Sequence, residues 1–470
     1  MKNTIDYKGL ITTETNVINL EKLLYQKEKD RQIKPKIKFS NQLQQITDYI
    51  KNYLNQEQYR ELIRDSFGNK RKQEQLKGII HSHVSSKAFL STYSKQITDY
   101  TLDEVTEYLV EKIAGLDVLQ PLSEIPTVTD INCIAWNNIW VDDIYKGEYK
   151  TDITFESEQD YIELCNRFAY ASGKSYSTAR PSVNAVFPYM RVNIVGQDLS
   201  PKTSLSIRIV SKELRLSEQY MLDTGYANRE MIEFLKLSFA TESHLICGGT
   251  GTGKTELLRY FTRYTKDNAS IIMIEDTPET YLDELYPDKP IKMWQNREAS
   301  DDDKKQFGYS YHVRNAMRQL PKYIYIQESR GEESLDILEA SETDHIVSTT
   351  LHAKSAIDCV TRFIVLCQKA HQHPSEFYGK RITNSFKIGI HIKRFGKVRK
   401  INQIVEYVGF QNDEVKANVL FEYDSQAQRH VQKDRISQDL WDSLYETHHD
   451  LTGIENLDPS PQKSFAMRGV

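Results

Sequence analysis

The stretch Ser243-His-Leu-Ile-Cys-Gly-Gly-Thr-Gly-Thr-Gly-Lys-Thr-Glu256 decides how this chain is read. It has the form of a short apolar strand, a glycine-rich turn and a helix beginning near Lys254. The turn fits G-x-x-x-x-G-K-[ST] from Gly248 to Thr255. Glycines at 248, 249, 251 and 253 permit backbone angles that side chains resist. Successive N–H groups can then curl around a phosphate at the positive end of a helix. Lys254 would reach the terminal phosphates, and the Thr255 hydroxyl would hold Mg²⁺. The bland alternative is a glycine-rich turn that binds nothing. Against it stand the apolar strand before the motif and the core face that Leu257, Leu258 and Phe261 give the helix after it. The expected nucleotide-binding set is Gly248, Gly249, Thr250, Gly251, Thr252, Gly253, Lys254, Thr255 and Glu256.

Outward from this stretch, between about Leu214 and Leu366, helices alternate with apolar strands, the pattern of a parallel sheet with crossover helices. The strand candidates are Leu245 to Cys247, Ile271 to Ile274, Tyr323 to Ile326 and Ile346 to Thr350. Each ends at a polar cluster, and ligands of open α/β sheets sit at the carboxyl ends of strands. One strand delivers Glu275, Asp276 and Glu279, which either orient water around Mg²⁺ or cap a turn. Another leads into Glu328, placed to approach Mg²⁺ and polarise the attacking water as general base. His345 and His352 flank the strand Ile346–Leu351. No cysteine, third histidine or acid completes a zinc spacing around them. Each is either a structural histidine or a hydrogen-bonding partner of the γ-phosphate or of a neighbouring subunit. Arg314 and Arg318, four apart, either reach phosphate or pair with acids on a helix face.

A chain of 470 residues suggests two or three domains. Residues 1–112 read as a polar helical segment used for docking. Ser40 or Asn41 caps a helix bearing Leu43, Ile46, Ile50 and Leu54, and Thr101 with Glu104 forms a capping box for another that stops at Gly115. Residues 113–212 read as a small α+β domain carrying Arg180, Arg191 and Arg208. Residues 213–424 hold the strand–helix alternation, and 425–470 read as a charged, partly disordered tail. No apolar run approaches a membrane span, and the N-terminus carries no apolar signal region, so membrane association would come through a partner. A net charge of -5 gives no global drive toward nucleic acid. The five cysteines are scattered without a C-x-x-C pair, which argues for reduced cytoplasmic thiols over disulfides or a zinc ribbon.

Four boxes in order resemble the type II/type IV secretion-system ATPase superfamily: the phosphate loop, IEDTPE (Ile274 to Glu279), QESRG (Gln327 to Gly331) and DHIVSTTLHA (Asp344 to Ala353). Upstream, ARPSVNAVFPYMRVNIV and LSIRIV are similar to the arginine-bearing N-terminal domain of that superfamily. LDVLQPL and TVTDI resemble the start of that domain in the CpaF-like branch of tight-adherence pilus and conjugation ATPases. The resemblance implies an α/β fold: a RecA-like P-loop ATPase domain preceded by a small α+β domain and an N-terminal helical segment. It implies Mg²⁺-dependent ATP hydrolysis by a homo-hexamer at the cytoplasmic face of a membrane, working through inner-membrane platform proteins of a secretion, type IV pilus or conjugation system, without direct nucleic-acid contact.

By matching position, Glu328 is the catalytic carboxylate, Glu275 and Glu279 belong to the acidic box, His345 and His352 are the histidine-box pair, and Arg191 and Arg208 approach the phosphates from the other lobe. Gln327, Lys322 and Asp344 depart from the family pattern, in which glycine, aspartate and glycine are usual, and they bear on turnover more than on binding. Two other readings stay open: a hydrolysis-poor nucleotide-binding assembly component, and a nucleic-acid motor, which lacks a basic, aromatic-interleaved stripe here.

Overall fold

The computed structural model describes residues 41–67, 69–296, 307–396 and 398–460. Ser40, offered as a helix cap, and residues 461–470 of the tail read as partly disordered lie outside these residues. The chain divides into two compact units, one from 41–59 and 77–112 and one from 60–76 and 113–460. In the first, the helix Asn41–Leu54 buries Leu43, Ile46, Ile50 and Leu54, the stripe that its spacing sets. Its last helix, Leu102–Ala114, begins with the reciprocal hydrogen bonds of the capping box. The Thr101 N–H donates to Glu104 Oε2 at 2.9 Å, and the Glu104 N–H donates to Thr101 Oγ1 at 3.2 Å. Residues 60–76, read from sequence as part of one N-terminal segment, belong to the second unit. There Phe67 packs on Phe168 and Phe187, with ring centroids 5.3 and 5.1 Å away.

The second unit begins with an antiparallel sheet of six strands: β1 (Val128–Ala135), β2 (Asn138–Asp143), β3 (Gly147–Lys150), β4 (Ser182–Phe187), β5 (Met190–Val195) and β6 (Ser204–Ile209). Their spatial order is β3-β2-β1-β6-β5-β4. The helix Glu158–Ala171, capped by Ser157, buries Tyr161, Leu164 and Phe168 beside it. The register sets Arg208 of β6 opposite both Arg191 of β5 and Asp130 of β1.

The larger sheet carries the expected parallel strands and more. Its members are β7 (His244–Gly248), β8 (Ile271–Glu275), β9 (Ile291–Gln295), β10 (Tyr323–Ile326), β11 (Ile346–Leu351), β12 (Ile388–Phe395), β13 (Val398–Gln411), β14 (Glu414–Asp424) and β15 (Arg429–Gln432). In the order β15-β14-β13-β12-β7-β11-β10-β8-β9, the six strands from β12 to β9 run parallel and the others pair antiparallel. The central strands β7, β8, β10 and β11 are buried at every position because both faces are covered. Alternate residues serve different cores. Ile271, Met273, Tyr323 and Tyr325 pack with the helices Arg229–Thr241 and Lys254–Phe261, while Ile272, Ile274, Ile324 and Ile326 pack with Glu333–Ser341 and Ala356–Ala370. This is the RecA-like α/β arrangement that the resemblance implies.

The reading of 425–470 as a charged tail is corrected by the structure for residues 425–460. β15 extends the sheet, and the helix Gln438–His448 sends Leu440 and Leu444 into the first core, joined by Leu451, Ile454 and Leu457. Polar and charged residues together dominate the composition of this stretch and mask a buried stripe.

Two glycines in helices test how tightly these helices pack. At Gly379, in the helix Ser375–Ser385, a Cβ would stand 2.3 Å from the buried ring of Phe410, whereas at Gly78 nothing among the described residues lies within 4 Å. Gly379→Ala is expected to lower the unfolding free energy by about 1–3 kcal/mol through overpacking. Gly78→Ala is expected to raise it by roughly 0.5–1 kcal/mol through helix propensity. Urea-unfolding midpoints that moved the same way in both variants would contradict this account.

Candidate nucleotide site

At the end of β7 the chain turns through Gly248 to Gly253 and enters the helix Lys254–Phe261. Gly253 is the left-handed residue before that helix, with φ 96°, and Gly251 has φ 68°. Gly248 is required for a different reason: a Cβ there would lie 2.3 Å from the Ile392 carbonyl oxygen of the neighbouring β12. The loop folds over its own lysine. Lys254 Nζ donates to the Gly248 and Gly249 carbonyls at 3.1 and 2.9 Å, and Thr252 Oγ1 donates to Gly249 O at 2.9 Å. Burial pulls the Lys254 ammonium below the usual lysine range, and the nearby Glu328 carboxylate works against that shift. The lining of the cleft begins at Thr250 and includes Lys254 and Thr255, while Gly248 and Gly249 stand behind it.

Glu328 follows β10. Burial acts to raise its pKa, but a 2.6 Å hydrogen bond from Arg330, together with the charges of His352 and Lys254, holds the carboxyl below its ordinary range. His352, just past β11, bridges the site. Its Nδ1 lies 3.0 Å from Gly248 O and its Nε2 3.1 Å from Glu328 Oε1. Both partners accept, so both contacts are hydrogen bonds when each ring nitrogen carries hydrogen. Gln327 links two boxes. Its Oε1 accepts from the N–H groups of Asp276 and Thr277 at 3.0 and 3.4 Å, and the Thr350 hydroxyl donates to its carbonyl.

The antiparallel sheet supplies the opposite wall. Arg191 pairs with Glu279 at 2.6 Å and Arg208 with Asp130 at 2.9 Å, and all four residues line the cleft. The Arg191–Glu279 contact is fixed in place by its neighbours. Tyr189, at the turn between β4 and β5, stacks on Tyr281 with centroids 4.2 Å apart, and its N–H donates to Tyr281 Oη at 2.8 Å.

Several expected site residues have other duties. Glu275 is buried and stands outside the lining. Its Oε1 accepts from the N–H groups of Glu279 and Thr280 at 3.0 and 2.9 Å, and burial pushes its carboxyl up to about 7. It folds the acidic turn that carries Glu279. Glu256 touches the cleft, but its carboxylate accepts from Arg215 N at 2.5 Å and from Arg259 Nη1 at 2.7 Å, tying the chain at Arg215 to the helix Lys254–Phe261. His345 does not join His352. It stands at the other end of β11 with Nδ1 2.7 Å from Pro321 O, and seven residues of strand span about 23 Å. Arg180 sits in a bridge with Ser177. Arg314 pairs with Asp336 at 3.7 Å, the helix-face alternative, and Arg318 lines a separate depression. Reading the sequence missed Asp130, Arg330 and Arg399. Arg330 was visible two residues after Glu328, whereas Asp130 becomes legible only through strand register.

The cleft, about 340 Å³ in volume, matches a small organic ligand. Its donors suit phosphate: a glycine loop at a helix N-terminus, one buried lysine, and arginines on the facing sheet. Thr255 and Glu328 offer the hard oxygens that Mg²⁺ takes, and Mg²⁺ is ordinarily held by one or two protein ligands plus phosphate.

Comparison with known proteins bears on the same residues. A family model described as "Type II/IV secretion system protein" matches residues 185–401, a span that holds Arg191, Arg208, the phosphate loop, Glu328 and His352. The chain is 29% identical over 381 residues to an uncharacterised protein of Bacillus anthracis, covering 78% of this chain and 82% of that one. It is 28% identical over 263 residues to a putative conjugal transfer protein of Mycobacterium tuberculosis, covering 53% and 71%. It is 24% identical over 269 residues to the type IV secretion system protein VirB11 of Brucella suis, covering 51% and 73%. With the boxes in the family's order and the matched span running through both walls of the cleft, the stretch 185–401 belongs to the type II/IV secretion-system family.

Proposed function

We propose that this chain hydrolyses ATP and works as a homo-hexameric motor for a membrane-embedded secretion, pilus or conjugation machine. The observation that carries the reading is the triangle of Lys254, Glu328 and His352 behind the phosphate loop, faced by Arg191 and Arg208 across the cleft. In this reading Lys254 and the loop amides hold the β- and γ-phosphates. Thr255 and Glu328 would hold Mg²⁺, which would supply charge neutralisation. The attacking water donates a proton to the Glu328 carboxylate as its oxygen bonds the γ-phosphorus and the bond to ADP breaks. Glu328 is ionised near neutral pH because Arg330, His352 and Lys254 outweigh its burial. Arg191 and Arg208 exchange Glu279 and Asp130 for phosphate oxygens, so that nucleotide draws the walls together and its loss frees them.

Its relatives favour a membrane machine as the load, with VirB11 named for a type IV secretion system. No helix among the described residues is long and apolar enough to cross a membrane. Platform proteins would therefore hold the chain at the cytoplasmic face, and the N-terminal helical unit would be the docking element. A hydrolysis-poor assembly component draws support from the departures at 327, 322 and 344. Against it, Lys322 and Asp344 lie 3.5 Å from each other at the amino ends of β10 and β11, away from the cleft.

Hydrolysis by Glu328→Gln is expected to fall by roughly 10²–10⁴-fold with ATP affinity kept, the loss of a general base. Lys254→Ala should lose both affinity and turnover. If wild type binds ATP and turns over no faster than Glu328→Gln, the assembly-component reading replaces the motor. Gln327→Gly, which restores the usual family residue, is expected to lower kcat by about 3–10-fold, because the Asp276 N–H loses its acceptor at a cost of roughly 1 kcal/mol. A kcat that rises instead would show that Gln327 restrains the site.

A further inference from the structure

Arg399, near the start of β13, is almost fully buried at 9% exposure and lies against the phosphate loop. Its Nε donates to the Gly251 carbonyl at 2.7 Å, and its Cδ is 3.8 Å from where a Cβ on Gly253 would be. A trans peptide is planar, so fixing the Gly251 carbonyl fixes the Thr252 N–H on the opposite side of the same plane. The loop presents its amides to a ligand, and one of those amides is thereby set by a side chain about 150 positions along the chain.

The other end of Arg399 points to the antiparallel sheet. Its Nη2 is 3.6 Å from Asp142 Oδ2 on β2, an oxygen that also accepts from Arg394 Nη2 at 2.8 Å. Asp142 Oδ1 and Arg399 Nη1 are both buried and have no hydrogen-bond partner. Buried charges are costly unless they are paired and hydrogen-bonded. Here an acceptor and a donor of one loose ion pair are both left unsatisfied, on two residues that belong to opposite walls of the cleft. A charge-assisted contact closes at about 2.7–2.9 Å, so an approach of roughly 1 Å would turn this contact into a two-point carboxylate–guanidinium fork. The rest of Arg399's strand is fastened to residues 224–226: Lys400 Nζ donates to the Thr224 and Gly225 carbonyls at 2.9 and 3.0 Å, and Ile401 N to Tyr226 O at 2.9 Å.

We propose that Arg399 is a positioning residue through which the antiparallel sheet, by way of Asp142, sets the conformation of the phosphate loop. Approach of the two walls completes the Asp142–Arg399 fork and stiffens the Gly251–Thr252 peptide. Ligand at the loop and closure of the walls then favour each other, as reciprocal coupling requires. The proposal rests on the reading of the cleft as a nucleotide site.

The test is binding of a fluorescent ADP analogue to the full-length chain, in wild type, Asp142→Asn, Arg399→Gln, the double variant and Arg399→Lys. Each single change is expected to weaken binding by about tenfold, and the double by no more than the worse single, because both break one linkage. Arg399→Lys keeps the buried charge but cannot serve the loop and Asp142 together, so it should follow Arg399→Gln in affinity with a melting temperature closer to wild type. Wild-type affinity in both single variants, or losses that multiply in the double, would overturn the proposal. An ADP analogue that fails to bind wild type would overturn the nucleotide reading and this inference with it.

Discussion

The carbonyl oxygen of Gly248 is held from two sides, by Lys254 Nζ at 3.1 Å and His352 Nδ1 at 3.0 Å. Three parallel strands meet there. β7 ends at that residue, β11 delivers His352, and β12 brings its Ile392 carbonyl so close that any side chain at 248 would collide with it. The lysine's remaining donor capacity then points past the loop, and the histidine's second nitrogen reaches Glu328. Lysine, histidine and carboxylate are thus placed by backbone pairing in the sheet, which is rigid because both of its faces are buried. A shift of β7 against either neighbour would move all three together.

The opposite wall obeys an electrostatic constraint. Arg191 and Arg208 are directly paired across β5 and β6, and like charges so placed are destabilising. The two guanidinium groups repel one another wherever no anion stands beside them. Glu279 and Asp130 relieve that repulsion, one from each side of the cleft. On the proposed reading, phosphate oxygens would take the place of these carboxylates, and substituting one anion for another would leave the arginine pair neutralised throughout. A cleft that exchanges internal for external anions can respond to nucleotide with little net electrostatic cost, and movement of the walls becomes the main consequence.

Chemistry compressed into contiguous residues was legible in the sequence. The phosphate loop, the strands ending at Glu275 and Glu328, and the arginines of the smaller sheet all lie within short windows. Pairings that depend on register were not: Asp130 stands 78 residues from Arg208, and Asp142 more than 250 from Arg394 and Arg399. His345 and His352 show the same lesson in reverse. Seven residues return to one face of a helix, but along a strand they separate the two rings by the length of β11. The stretch after Asp424 was misread through composition. Gln438–His448 carries Leu440 and Leu444 at helical spacing, yet its polar residues outnumber them, and the buried face decides the fold.

The departures from the family pattern divide by their place on the sheet. Lys322 and Asp344 stand at the amino ends of β10 and β11, and their opposite charges make each the other's nearest compensation. An exposed pair of this kind contributes little either way. Gln327 stands at the carboxyl end, where a side chain replaces the usual glycine, and it fills that space with an amide that receives two backbone N–H groups of the acidic turn. The turn is therefore held from both ends, by Gln327 at Asp276 and Thr277 and by Glu275 at Glu279 and Thr280. Glu279 is delivered to Arg191 by that double support. Flexibility that glycine would give the strand end has been exchanged for a fixed acidic turn, which keeps Glu279 against Arg191 and leaves the loop that grips phosphate untouched.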